Sequence, residues 1–318
     1  MAWPKQSGSH IPSVSVIVAT YNSATKSSLT RCLESISYQS LSEGIELLVV
    51  DGGSSDETVS EATRFGARLI FNPRVTELGF VGGKNLALKN SIGPLVCFVD
   101  ADNILIESNF LSSLSRPLNS NDDICAAIPC PFIPPANRAG ALLRYLARDE
   151  DDYLSGLVNG IVPHEGWLEF APTSITVPNA ALIRRSCLER IGGWDYDTEV
   201  GRRLITSCHG KFALVPGVHR LHLEARSYPD LWRKLQRRVQ NQAHEQSSKP
   251  EVQSRLQHYV EHPSRAVFDE LIQPLTRMLE TGDIAYLNAV PAFIMKSLLV
   301  LKYIGLQPRT HIGGSDRM

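Results

Sequence analysis

No two of the six cysteines (Cys32, Cys97, Cys125, Cys130, Cys187 and Cys208) stand at CxxC spacing, and they form no ladder of metal-ligand intervals. That absence sets aside zinc ribbons and thioredoxin-type redox centres. Several lie inside apolar runs, as in Val96-Cys97-Phe98, and read as buried, reduced thiols of a reducing compartment. A net charge is missing too. The 32 Lys and Arg residues nearly balance 33 Asp and Glu, so no global field draws the chain to nucleic acid.

Two nucleotide-loop patterns are also wanting. No GxGxxG follows the first apolar strand, which disfavours a dinucleotide-dependent oxidoreductase. Gly79 to Asn85 imitates a P-loop, but the spacing is one residue short and no Ser or Thr follows Lys84. Met1 to Ser13 has no basic stretch leading into an apolar run, so no signal peptide is expected, and the expected location is cytoplasmic, with peripheral attachment to a membrane left open. No uninterrupted run of membrane length occurs. Ile284 to Leu306 is strongly apolar but is broken by Asn288, Pro291, Lys296 and Lys302, whereas a span needs about 20 nearly uncharged residues. A helix covered by protein is the first expectation there, a membrane-surface helix the second, and a span the third.

What is present suits a globular chain. The 318 residues are 43% hydrophobic and 20% charged, enough for one large domain with a smaller appendage. The first hundred residues alternate strand and helix. Val14 to Ala19 is a short β-branched strand. Leu29, Cys32, Leu33 and Ile36 then recur at helical spacing, with Ser27 or Ser28 as N-cap. Ile45 to Val50 is the second strand, Asp56 to Phe65 a helix capped by Ser54 or Ser55, and Arg68 to Phe71 the third strand. A glycine-rich turn at Gly79, Gly82 and Gly83 is expected to open a helix towards Asn90, before the apolar strand Leu95 to Val99. Later, Ala180 to Ile191 reads as a helix stopped by Gly192-Gly193, and Phe212 to Val215 as a strand. The acidic run Asp149 to Asp152 reads as solvated surface.

Apolar strands separated by helices indicate a largely parallel sheet covered on both faces, and such sheets bind ligands at the carboxyl ends of their strands. Three strands deliver polar groups to that rim: Thr20-Tyr21-Asn22, Asp51-Gly52-Gly53-Ser54 and Asp100-Ala101-Asp102-Asn103. Asp100 and Asp102 follow a buried strand one residue apart, a pair that a hard divalent cation would stabilise. A solvated turn gives the same pattern, and the position after an apolar strand is what favours the cation. Asp51 either accepts from a nucleobase N–H or shapes a tight turn with its glycines.

In order and spacing, Val16 to Asn22, Val50 to Asp56 and Phe98 to Asp102 resemble the inverting GT-A glycosyltransferases of family 2. The resemblance covers about Val14 to His222. It implies an α/β fold with a mostly parallel, helix-flanked sheet and a C-terminal helical appendage. The glycosyltransferase domain would occupy 1–225, with a nucleotide-sugar half at about 12–110 and an acceptor half at about 111–225. The helical region would occupy 226–318, the boundary falling near Leu223 to Ser227. The activity implied is metal-dependent transfer of a sugar, with inversion, from a UDP- or GDP-sugar to an acceptor hydroxyl. Thr20, Tyr21, Asn22, Asp51 and Asp100 would contact the nucleotide, and Asp100 and Asp102 would hold Mn2+ or Mg2+. Gly79 to Asn85 resembles the family's glycine-rich turn, which puts Lys84 near the donor diphosphate or sugar.

Ile191 to Glu199 resembles the family segment in which Gly-Gly-aromatic-Asp precedes a Glu-Asp pair, but Tyr196 stands where the Glu would be. Asp197 aligns best with the general base, with Asp195 and Glu199 as rivals, and a helix start rich in acids is the plain alternative. His222, rather than His219, matches a further metal ligand of related enzymes. Gln236-Arg237-Arg238-Val239 is similar to a motif of processive members but lacks its Trp, which counts against chain polymerisation. The partners implied are a nucleotide-sugar donor and a glycan or lipid-linked acceptor, with no nucleic acid. The basic amphipathic stretch from Tyr228 to Gln246 reads first as a solvated helix face and next as a contact for anionic lipid or donor phosphate, and the C-terminal helices leave membrane-surface contact open. A nucleotidyltransferase of similar fold and a catalytically silent sugar-nucleotide-binding protein are the competing readings.

Overall fold

The computed structural model describes residues 12–24, 28–41, 44–73, 75–135, 140–149, 161–194, 197–208, 210–223, 227–236 and 262–306. The side chains of 75–80, 148–149, 197–198 and 302–306 lie outside that description. So do Ser27, most of the acidic run, Asp195, Tyr196, Arg237 and Arg238.

Residues 1–133 and 147–223 form one unit, and 134–146 and 224–318 a second. The first unit is built on a ten-stranded mixed sheet. Strands β1 (Val14–Thr20), β2 (Ile45–Asp51), β3 (Arg68–Phe71) and β4 (Leu95–Asp100) run parallel in the order β3-β2-β1-β4. Their β-branched and aliphatic residues are buried on both faces: Val14, Val16 and Val18 face one apolar cluster, and Ile17 with Leu48 and Val50 the other. Between them lie α1 (Ser28–Ser37), α2 (Thr58–Arg64) and α3 (Val75–Asn90). Helix α1 buries Leu29, Cys32, Leu33 and Ile36, the residues whose spacing predicts it. Each such aliphatic side chain contributes roughly 1.5–3 kcal/mol on burial.

Three local expectations are corrected. The glycine-rich segment is no turn, because Gly79, Gly82 and Gly83 lie within α3. A Cβ at Gly83 would touch Val50 Cγ1 and Asn72 Nδ2, both at 3.5 Å, so the glycine lets the helix approach β2 closely. Neither Ser54 nor Ser55 caps α2; Asp56 Oδ1 accepts from Thr58 N at 3.1 Å instead. Ala180 to Ile191 is not one helix: Leu182–Arg184 is a strand, and only Arg185–Arg190 is helical.

Beyond β4 come β5 (Asn103–Leu105), α4 (Phe110–Ser120), β6 (Ile124–Pro131), α5 (Ala141–Asp149), the hairpin β7 (Val162–His164) and β8 (Trp167–Phe170), β9 (Leu182–Arg184), α6 (Arg185–Arg190), α7 (Asp197–Ser207) and β10 (Lys211–His222). Strand β9 pairs antiparallel with both β4 and β6, and β10 runs parallel to β6. All six cysteines are free and five are buried; burial raises the thiols of Cys32, Cys97 and Cys125 and lifts Cys187 to about 12, which keeps them protonated and inert.

In the second unit, α8 (Pro263–Val267) passes through a π-helical turn into α9 (Gln273–Thr281), and a 3-10 turn at Ile284–Asn288 leads into α10 (Ala289–Leu306). Its core gathers Leu142, Tyr145, Leu231, Leu235, Tyr286 and Leu299. The apolar C-terminal segment is covered on one face, where Ala285, Ala289, Ala292 and Leu299 join that core, and open on the other. Of Ile284–Leu301, with mean hydropathy 1.8, only 22% is buried, and Leu287, Val290, Ile294, Leu298 and Leu301 line one exposed stripe. Among the described residues this is one helix long and apolar enough to cross a membrane by length and composition.

Candidate active site

The register of the parallel strands brings the polar rim together. Thr20 pairs with Asp51 across β1 and β2, and Ala19 pairs with Asp100 across β1 and β4. Two strand spacings thus separate Asp51 from Asp100, roughly 10 Å.

The Asp51 end is a stitched turn. Asp51 is buried; its Oδ2 accepts from Gly53 N and Ser54 N, both at 2.9 Å, and its Oδ1 accepts from Ser54 Oγ at 2.5 Å. Gly53 has φ +88°, which favours glycine. Ser54 Oγ in turn accepts from Asn22 N at 2.8 Å, and Asn22 Oδ1 accepts from Ser55 N at 2.8 Å. Asn22 adopts φ +47°, a conformation Asn tolerates better than most residues. Thr20 is buried with its hydroxyl donating to Val50 O at 3.3 Å, while Tyr21 is 59% exposed at the rim. The turn reading of Asp51 is therefore realised, and of its acceptor sites one remains for a ligand, on Oδ1.

At the other end, β5 turns back to pair antiparallel with β10, setting His222 opposite Asn103. Leu223 N donates to Asp102 O at 2.7 Å, and His222 Nε2 lies 3.3 Å from Asp102 Oδ2. His219 belongs elsewhere: its ring Nδ1 and its backbone N–H both contact Glu107, at 2.8 and 2.6 Å. Asp100 Oδ1 meets Lys84 Nζ at 3.1 Å. Lys84 is 1% exposed, approaches Asn179 Oδ1 at 3.4 Å, and lies 4.8 Å from the centre of the Trp194 ring and 5.9 Å from that of Phe98. The ammonium is thus seated behind Asp100 against two aromatic rings.

Among the described residues no group of three His, Cys, Asp or Glu side chains surrounds a common point. Asp102 with His222 offers a carboxylate oxygen and an imidazole nitrogen, a set that suits Mn2+ completing its shell with diphosphate oxygens and water.

Asp197 opens α7, its side chain outside the description, and Asp195 lies outside it altogether. Glu199 is described. Hydrogen bonds from Arg202, and then from Arg203, hold its carboxyl down to about 2, too weakly basic for a general base. Sequence reasoning did not single out Asn179, Trp194 or Asn85 as parts of this centre. Ala180, at φ +63° beside Asn179, is the strained position that marks it, and strain of that kind is invisible in sequence.

A helix-flanked sheet with acidic motifs at the ends of β2 and β4 defines a glycosyltransferase of GT-A type. The chain belongs to glycosyl transferase family 2, whose model matches residues 15–192. It is 36% identical over 115 residues to a PGL/p-HBAD biosynthesis glycosyltransferase of Mycobacterium bovis, covering 35% of this chain and 43% of that relative. It is 30% identical over 109 residues to a UDP-Glc:alpha-D-GlcNAc-diphosphoundecaprenol beta-1,3-glucosyltransferase of Escherichia coli, covering 34% and 42%. The match thus spans less than half the length of either relative. In fold it is similar to a mannosyltransferase of Pyrobaculum calidifontis solved in complex with GDP-Man and Mn2+, with a TM-score of 0.57, 18% identity, and coverage of 93% of this chain and 88% of that one. The family sets aside the nucleotidyltransferase reading.

Proposed function

We propose that this glycosyltransferase moves a sugar from a UDP- or GDP-sugar to an acceptor hydroxyl in one in-line displacement, with inversion at the anomeric carbon. The observation that carries the reading is that β2 and β4 end at Asp51 and Asp100 on either side of β1, within one residue of each other in register, with His222 against Asp102. Thr20, Tyr21, Asn22 and Asp51 hold the nucleotide, which orients the sugar for attack. Asp102 and His222 would hold Mn2+ or Mg2+, whereas Asp100 is turned to Lys84 and forms no three-residue cluster with them. Bound there, the ion would supply positive charge against the departing diphosphate. Asp197 removes the proton of the acceptor hydroxyl as the new C–O bond forms and the bond to the diphosphate oxygen breaks on the opposite face. The hydrogen bonds that Arg202 and Arg203 give to Glu199 favour Asp195 or Asp197 over it as the base.

The acceptor is a glycan or a lipid-linked sugar, and the enzyme meets a membrane surface through the apolar stripe of α10. The exposure of Leu287, Val290, Ile294 and Leu298 supports this, as does the diphosphoundecaprenol acceptor in the name of the Escherichia coli relative. The division into a glycosyltransferase domain to about residue 225 and a helical region from 226 belongs to the same proposal.

A thermal-shift screen of UDP- and GDP-sugars with and without Mn2+ tests the donor class, since a ligand bound by the native state raises Tm. Stabilisation by one of these donors, larger with Mn2+, is expected. No shift with any of them would refute the donor assignment.

A further inference from the structure

Neighbouring residues on α3 face two different parts of the centre. Lys84 reaches Asp100, whereas Asn85 reaches the backbone of Trp194. Asn85 Oδ1 accepts from Trp194 N at 2.7 Å, and Asn85 Nδ2 donates to Trp194 O at 2.8 Å. One side-chain amide thereby takes the place of a strand partner for a buried residue whose peptide groups need pairing. The fit leaves no slack. Gly193 has φ +100°, and a Cβ there would stand 2.4 Å from Asn85 Oδ1. The Trp194 ring is held as well, 4.5 Å from the Phe98 ring and under the Lys84 ammonium.

Trp194 is the last described residue before Asp195, Tyr196 and the start of α7 at Asp197. The three residues from Trp194 to Asp197 reach at most about 11 Å. The far side is fixed too, because a Cβ at Gly201 would stand 1.9 Å from Ile175 O. We infer that Asn85 is a positioning residue: it holds Trp194, at the head of the segment proposed to carry the general base, to the helix whose Lys84 meets the carboxylate Asp100. The inference rests on the proposed function for the presence of a base in that segment, though not on whether Asp195 or Asp197 is that base.

The test uses the full chain with Asn85→Ala, Asn85→Asp and Gly193→Ala. Three quantities are read: amide hydrogen exchange at Trp194, turnover as nucleoside diphosphate released from UDP-glucose or GDP-mannose with Mn2+, and Kd for UDP or GDP with Mn2+. In Asn85→Ala, Trp194 exchange should accelerate and kcat fall by about 100-fold while the nucleotide Kd stays put, the signature of misplacement rather than lost binding. Asn85→Asp keeps an acceptor for Trp194 N–H and loses the donor, so it should fall between wild type and Asn85→Ala and serves if the alanine variant does not fold. Unchanged exchange, unchanged kcat, or kcat and nucleotide affinity falling together would overturn the inference. Retention of full turnover by both Asp195→Asn and Asp197→Asn would instead sink the base assignment. The exchange result at Trp194 is independent of that outcome.

Discussion

Asp102 and His222 meet at 3.3 Å because the short strand β5 folds back from the end of β4 and pairs with the end of β10. A carboxylate in the turn between β4 and β5 and an imidazole at the end of β10 are brought together by the pairing of His222 with Asn103. The metal proposal depends on that pairing.

Asp51 holds its own turn, so its removal carries a stability penalty apart from any loss of nucleotide. Asp51→Ala strands the N–H groups of Gly53 and Ser54 and should cost about 1–3 kcal/mol. A fall of about 2–4 °C in Tm per kcal/mol is expected for a unit of this size. Asp51→Asn, which keeps an acceptor, should lose less. Equal Tm values for wild type and Asp51→Ala would show that the turn does not need the carboxylate.

Gly201 lies where α7 passes Ile175, and an added methyl would run into a backbone oxygen that cannot swing aside. Gly201→Ala should destabilise by about 1–3 kcal/mol despite the better helix propensity of alanine. Thermal denaturation decides between the two effects. A raised Tm would mean that the helix shifts freely.

Glu199 has a depressed carboxyl, at about 2, so its contribution to stability is present above the usual carboxylate range and is lost as pH falls towards 2. The group is partly exposed, and the gain is no more than roughly 1 kcal/mol. Glu199→Gln should lower Tm slightly at pH 7 and not at pH 2. The acidic limb of the pH–rate profile should stay in place in this variant, because the proposed base is Asp197. Loss of that limb would make it the base.

Lys84 is paired with Asp100 at 3.1 Å, so under the proposed metal role the ammonium would compete with the ion for that carboxylate. Lys84→Met keeps the buried stem and deletes the charge, so Mn2+ should half-saturate at a concentration roughly ten-fold lower. That is well under the ~4 kcal/mol of a pair near a protein surface, as befits a partly exposed Asp100. A titration of activity against Mn2+ measures this, and an unchanged or weaker requirement would contradict it.

The strand ends were readable because apolar runs of fixed length end where polar residues begin, as at Val50-Asp51 and Val99-Asp100. Helix α1 was readable from the recurrence of Leu29, Cys32, Leu33 and Ile36. Glycines mislead at α3, where Gly83 serves close packing against Val50 and looks locally like a turn. Leu182–Arg184 is too short for its period to separate strand from helix, and its pairing with β4 and β6 is set by distant residues. The Lys84–Asp100 and Asn85–Trp194 contacts have no local signal, because each joins segments that only the folded sheet brings together.

The central claim is that the acidic rim binds a nucleotide together with a divalent cation. Calorimetric titration of UDP and GDP into the wild-type chain and Asp102→Ala, with and without Mn2+, tests it most directly. One of the nucleotides should bind the wild type tightly only with Mn2+, and Asp102→Ala should bind it at least about 10-fold more weakly. Binding that ignores Mn2+, or that survives intact in Asp102→Ala, would contradict the account.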